Sequence, residues 1–408
     1  MKITTLRILD LWVGRPICWF LTILYKLKRF FIKKEQPENP RKILFIKLFG
    51  AGSIVLAIPT IKAARKFFPE ARIFFLTFRG NEVVLTLTGL VAERDIFTVR
   101  EDTLAHLIGD VSRCLRALIR ERIDVVIDLE FFSRFTAILS FALRSRYRIG
   151  FYGFYTEGLK RGSFINYSIN YNHTLHTSQA FFTLLKPLGI TEKDYGRSLP
   201  QVPASVGYRE KIENLLQGVN RLCNCQQIRK WIMLNPNTSE LISLRRWPGN
   251  YYVRLAELLL EKFDDCGVIF IGSKAEAPYV NSLAAPFAGT RHAGRVIDLA
   301  GRTSIGGLLD LFHFADLFIT NDSGPAHLAA LTSIPIIALF GPETPELYAP
   351  LAERVECIYL GLDCQPCVTI YNGKHSYCKD NRCLQQIEPD RVFSLALSFL
   401  GGSEHDQG

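Results

Sequence analysis

Several things are missing from this 408-residue chain, and each absence excludes something. No apolar run is long enough for a bilayer span. The cleanest, Pro16–Tyr25, is about half of the roughly 20 residues a spanning helix needs. There is no secretory cleavage pattern, so the ten cysteines suggest a reducing compartment rather than a disulfide scaffold. The first glycine turn, Gly50 and Gly52, lacks the third glycine of the dinucleotide fingerprint, and the acid about 20 residues on is also missing. That speaks against an NAD enzyme. Strong charge on the body is absent too. Residues 1–34 hold eight Lys/Arg against one acid, Asp10, which is +7 of the net +10. A near-neutral body argues against nucleic acid and for a local contact with something anionic.

What is present is apolar content of 48% against 22% charged, ample for large cores. The N-terminal segment mixes Trp12, Ile17, Trp19 and Phe20 with cations, then runs into Lys26–Lys34, where basic and aromatic residues interleave. This reads as an interfacial helix pair on an anionic membrane surface; the competing reading is an amphipathic helix packed on the protein's own body. Glu35–Pro40 is a linker.

A strand–helix rhythm follows, the mark of parallel sheets in an α/β protein. Strands are expected at 43–48, 73–76, 96–99 and 124–128, with helices between. The Pro-rich Leu199–Pro203 marks a crossing into a second α/β domain. The segments are 1–40 (membrane association and linker), 41–200 (first domain), 201–400 (second domain) and 401–408 (tail).

In the second domain every strand ends in a small polar loop: Asn237/Thr238/Ser239, Ser273/Glu276, Thr303/Ser304, Asp322/Ser323/Gly324 and Pro342/Thr344. Parallel strands set such loops along one edge, where open α/β sheets bind ligands. Ser323 and Gly324 open a helix whose free N–H groups suit a phosphate, with His327 one turn in. Arg245 or Arg246 adds charge, and Glu276 a carboxylate for ribose hydroxyls.

The run Asn321-Asp-Ser-Gly-Pro-Ala-His-Leu-Ala, the Gly341-Pro-x-Thr after it and Arg245-Arg246-Trp247-Pro248 resemble glycosyltransferase family nine, the ADP-heptose:lipopolysaccharide heptosyltransferases. The resemblance covers about residues 43–400. It implies two Rossmann-like domains facing across a cleft (GT-B), with the nucleotide-sugar on the second and a lipid-linked glycan acceptor on the first. It also implies inverting transfer without an obligatory bound metal or other required cofactor. The polybasic flank after the apolar N-terminal run favours a peripheral protein on the cytoplasmic face of the inner membrane. Carried over, Thr238, Ser239 and Arg245 hold the diphosphate, and Glu276 the ribose. Thr303 lies beside the base, Asp322 touches the transferred sugar, and Ser323 and Gly324 form the phosphate turn.

There is one departure. The family's Gly-Asp, whose Asp is the proposed general base, is here Gly52-Ser53, with Pro59 keeping the register. An unassisted serine is a weak base at neutral pH. Glu130, at the end of the fourth strand, is the expected replacement, with Asp128 second. The alternative is an inactive relative that binds a nucleotide-sugar or glycolipid. Cys364, Cys367, Cys378 and Cys383 leave three readings open: structural zinc, a redox pair or unlinked thiols.

Overall fold

The computed structural model describes residues 10–29, 39–152, 161–224, 226–238 and 243–401. Two compact units divide the chain, Met1–Ser198 and Leu199–Gly408.

In the first unit the helix α1 (Gly14–Arg29) precedes the strand β1 (Lys42–Ile46). Then come α2 (Ala51–Phe67), β2 (Arg72–Phe78), α3 (Glu82–Thr88), β3 (Ile96–Val99), α4 (Leu104–Glu121) and β4 (Val125–Asp128). The unit continues with α5 (Arg134–Ala142), β5 (Tyr147–Tyr152), β6 (Tyr167–Asn170) and α6 (Thr177–Thr183). The strands form one parallel sheet in the order β3-β2-β1-β4-β5-β6. Central strands such as β1 are apolar runs buried on both faces, as helix-covered parallel strands must be. The strand order reverses between β1 and β4.

The second unit holds α7 (Tyr208–Val219), β7 (Lys230–Asn235), α8 (Gly249–Lys262), β8 (Cys266–Phe270), α9 (Ala277–Ala284), β9 (Val296–Asp298) and α10 (Ile305–Phe314). After these come β10 (Leu317–Asn321), α11 (Gly324–Ala329), β11 (Ile336–Leu339), α12 (Pro345–Tyr348), β12 (Val355–Ile358), α13 (Arg382–Gln385) and α14 (Pro389–Leu400). Its sheet is also parallel, in the order β12-β11-β10-β7-β8-β9, and reverses between β7 and β10.

Two strands escape the sequence pattern. β6 and β12 alternate between covered and open positions, as edge strands do, so they carry no continuous apolar run. The helix after Gly324 is short and stops at Ala329.

α1 packs on α5. Its inner face, Gly14, Cys18, Leu21 and Tyr25, meets Ile138, Phe141 and Phe164. The helices come so close at Gly14 that a Cβ there would lie 2.8 Å from that of Arg134. Asp10 locks the junction: Oδ1 accepts from the Phe135 amide at 2.7 Å and from Ser133 Oγ at 3.2 Å, capping α5. The opposite face leaves Trp12, Trp19, Phe20 and Leu27 exposed at 57–74%. Among the described residues no helix is long and apolar enough to cross a membrane.

Asp128 sits at the end of β4 with no solvent exposure. Arg161 Nη1 meets its Oδ2 at 2.7 Å, and Thr136 Oγ1 donates to the same oxygen at 2.8 Å. Burial pushes the Asp128 carboxyl up to about 6, against the pull of Arg161. Removing one partner of a buried ion pair strands the other charge. Arg161→Met is therefore expected to cost about 3 kcal/mol, read as a lower denaturation midpoint, with Asp128→Leu in the same chain recovering most of it. An unchanged midpoint for the single variant contradicts this.

Candidate nucleotide-sugar site

In a doubly wound sheet, the crevice at the reversal of strand order is where a ligand finds two loops parting. In the second unit that place lies between β7 and β10. The loop after β7 carries the Arg-Arg-Trp-Pro run. Trp247 is fully buried, its ring 4.8 Å from that of Tyr252, and its indole N–H donates to the Ile387 carbonyl at 2.8 Å. Its backbone N–H donates to Asn321 Oδ1 at the end of β10, 3.0 Å away. This anchor sends the two neighbouring arginines different ways. The Arg246 guanidinium stacks 4.4 Å over the Tyr279 ring and lines a hollow of about 440 Å³ that includes neither Arg245 nor Asp322. Arg245 turns to the sheet edge.

There Arg245 Nη2 meets Glu343 Oε2 at 2.5 Å, and Nη1 lies 3.5 Å from Asp322 Oδ2. Lys374 Nζ reaches Glu343 Oε1 at 3.0 Å. Both carboxylates are nearly closed to solvent, with side-chain exposures of 5% for Asp322 and 1% for Glu343, while Arg245 keeps 13% and Lys374 26%. Burial pushes Asp322 up to about 7, against the pull of Arg245 and with Glu343 adding to the rise. Burial would raise Glu343 also, but Lys374 and Arg245 outweigh it and hold this carboxyl below its ordinary value. Glu343 is thus the ionised partner, and Asp322 is poised near neutrality.

Behind this cluster the strand ends are stitched by amides. Asn235 Nδ2 donates to Thr320 Oγ1 at 2.9 Å and to Ser323 Oγ at 3.0 Å. Asn321 Nδ2 donates to the Asn237 carbonyl at 3.2 Å, and Asn237 Nδ2 to the Ile271 carbonyl at 2.9 Å. The loops after β11, β10, β7, β8 and β9 therefore follow one another along a single edge.

The remaining residues expected at the site fall as follows. Thr238, Ser323 and His327 are buried beside this edge, and no Cβ contact lies within 4 Å at Gly324, whose backbone is open. Ser239 lies outside the described residues. Glu276 folds back on its own loop, accepting from the Ser273 amide at 2.8 Å, two strands from Asp322 in the sheet order. Thr303 is half-buried after β9, just before Ser304, which caps α10. Thr344 caps α12, accepting from the Glu346 amide at 3.3 Å. Glu343 went unnoticed in the sequence because it is the variable position of Gly-Pro-x-Thr. Lys374 was not assigned to this edge because it is about 30 residues further on.

The four cysteines line one hollow of about 520 Å³, and none is disulfide-bonded. Burial, then the neighbouring Cys367, Cys364 and Cys378, push the Cys383 thiol up to about 11. No group of three or more His, Cys, Asp or Glu among the described residues is arranged to hold a metal, so the zinc reading has no support.

In the first unit the reversal lies between β1 and β4. Gly50 takes φ +82°, a left-handed conformation that glycine accepts without strain, and α2 begins at Ala51 with Gly52 and Ser53 in its first turn. Glu130 is buried across from it. Its Oε1 accepts from the amides of Leu48 and Phe49 at 2.8 and 2.9 Å and pairs with Lys47 Nζ at 2.9 Å. A carboxylate held by one cation and two amides fixes the loop that leads to Gly50.

Over residues 111–377, about two thirds of the chain, the sequence matches the profile of glycosyltransferase family 9 (heptosyltransferase). A lipooligosaccharide heptosyltransferase 2 of Campylobacter jejuni is 31% identical over 176 residues, 43% of this chain and 52% of that protein. The chain thus matches about half the length of that curated relative. Among solved structures, the ADP-heptose lps heptosyltransferase II of E. coli superposes with a TM-score of 0.70 at 22% identity, covering 89% of this chain and 99% of that one. The E. coli heptosyltransferase WaaC with ADP-2-deoxy-2-fluoro heptose gives a TM-score of 0.60 at 16% identity, covering 88% and 99%. At these identities the two structures speak for the fold, two parallel-sheet α/β units of the GT-B kind, while the profile match speaks for kinship. The chain belongs to glycosyltransferase family 9.

Proposed function

We propose that this protein is a glycosyltransferase that moves a heptose-like sugar, with inversion, from ADP-heptose or a close relative to a lipopolysaccharide-type glycolipid. The observation that carries the reading is Arg245 beside the poised Asp322 at the strand-order reversal of the second unit. Two similar solved structures support the donor class: WaaC was solved with ADP-2-deoxy-2-fluoro heptose, and heptosyltransferase II is named for ADP-heptose.

The chemistry follows from the layout. The departing diphosphate needs positive charge held in place beforehand. The helix after Ser323 has only six residues, so its dipole is small and Arg245 carries most of that duty. Two strand spacings, roughly 10 Å, separate the Asp322 loop from the Glu276 loop. A nucleotide laid along the edge puts its diphosphate at β10–β11, its ribose near Glu276 and its base near Thr303. In its protonated form Asp322 donates a hydrogen bond to a sugar hydroxyl without adding charge beside the diphosphate.

On the acceptor side, the first unit offers the Gly50 turn with Ser53 and, behind it, Glu130. Glu130 keeps the turn in shape, and Ser53 lies at the family's aspartate position.

α1 supports a peripheral place on the inner face of an anionic membrane. Its outward aromatic face suits the acyl boundary, and the following stretch, residues 30–38, supplies Lys33 and Lys34, although its placement lies outside the described residues.

Four measurements check these statements. Release of free ADP from ADP-heptose should need a heptose-accepting lipopolysaccharide core, and Arg245→Ala should weaken ADP binding by about 2 kcal/mol, roughly thirtyfold. Binding of ADP-heptose without ADP release under any acceptor would leave a binding protein and not a transferase. Glu130→Gln should reduce turnover by about tenfold or more through a misplaced Gly50 turn; near-normal turnover removes Glu130 from the reaction altogether. Trp19→Glu with Phe20→Glu should lower binding to phosphatidylglycerol vesicles by about tenfold or more, and equal binding sinks the membrane assignment.

A further inference from the structure

The cation facing Arg245 comes from an unexpected part of the chain. Residues 361–381 form a long loop between β12 and α13, the same loop that holds three of the four cysteines. It is tied down over the loop that follows β11. Gln365 Nε2 donates to the Gly341 carbonyl at 2.5 Å and the Val368 amide to the Pro342 carbonyl at 3.0 Å. At its tip the chain doubles back. The Lys374 amide donates to the Thr369 carbonyl at 2.8 Å, and Asn372 Oδ1 accepts from the Thr369 amide at 3.0 Å. Lys374 itself takes φ +59°, which is uncommon for a residue with a side chain. The surrounding contacts thus hold an unfavourable backbone state, and the result is that the ammonium group lies over the Tyr348 ring at 4.6 Å and on Glu343 at 3.0 Å.

The charges in this cluster do not cancel on its open side. Glu343 is the buried floor, and the two cations that share it are the parts that reach solvent. Asp322, the second carboxylate, is pushed toward neutrality by burial. Two cations against one firmly ionised carboxylate leave positive charge facing outward. A diphosphate, with anionic oxygens on two phosphorus atoms, offers a partner to each of the two cations.

We propose that Lys374 is a second cation for the donor's diphosphate, delivered by the cysteine-bearing loop and aimed by Glu343. This rests on the nucleotide-sugar reading above and adds a residue to it. Arg245 and Lys374 would grip the diphosphate from the two sides of Glu343, one from the loop after β7 and one from the far end of the unit's sequence. The loop's packing is then part of donor recognition, since any shift of its tip withdraws a phosphate ligand.

Titration of the full chain with ADP, adenosine and inorganic pyrophosphate tests this. Lys374→Met is expected to weaken ADP and pyrophosphate by about tenfold while leaving adenosine within about twofold, and Lys374→Arg to restore most of the loss. ADP affinity unchanged in Lys374→Met overturns the proposal and leaves the donor site at Arg245 standing. Equal losses for ADP and adenosine overturn it as well, because they report a collapsed loop and not a lost phosphate contact. A wild-type chain that binds pyrophosphate through Lys374 but does not bind ADP keeps Lys374 as an anion ligand and removes the nucleotide.

Discussion

Two carboxylates, Asp322 and Glu343, lie almost wholly out of water at the end of one parallel sheet, and a single guanidinium stands between them. An isolated ionised carboxylate in such a place is too costly to persist. Arg245 and Lys374 offset that cost for Glu343, while Asp322 escapes it by holding its proton near neutral pH. The position of every neighbouring group follows from this division. Burial works against the charge of Arg245 too, but its two acidic partners outweigh that and keep it firmly protonated. The result is a fixed cation beside an acid pushed up to about 7.

The precision of that arrangement comes from groups with no chemistry of their own. Trp247 fills the core and hydrogen-bonds at both ends, so the short turn carrying Arg245 has one place to be. Asn235, Asn237 and Asn321 bridge the strand ends, Asn235 donating to the Thr320 hydroxyl and the other two to backbone carbonyls there. The first unit repeats the logic at its own reversal of strand order. Lys47 and Glu130 meet there, buried, and the carboxylate clamps the two amides that lead into Gly50. In both units the crevice is lined by an ion pair that shapes a loop, a consequence of two parallel strands parting with no third strand to cover their ends.

α1 adds a different constraint. One face is spoken for by the first unit, through Cys18, Leu21 and Tyr25 and the cap from Asp10. The other face shows large rings to solvent. The readings of a packed helix and of an interfacial helix do not compete: 3.6 residues per turn let one segment have an inner face and an outer one.

Much of this was legible from residue order alone. The apolar strands, the polar loops that follow them and the Asn-Asp-Ser-Gly-Pro run specify parallel sheets with one polar edge, because strand burial and turn chemistry are local and periodic. The edge strands β6 and β12 were not, since their alternation is too short to distinguish from a loop. Nor could sequence separate Arg245 from Arg246, which differ only in the side of Trp247 on which they emerge. It gave no hint that Glu130 would be gripped by Lys47, or that Lys374 would meet Glu343 across some 30 residues of chain. Local order decides which elements form and which residue types stand at their ends. Which charges then share one buried place depends on how loops far apart in sequence are laid over each other, and only the folded chain settles that.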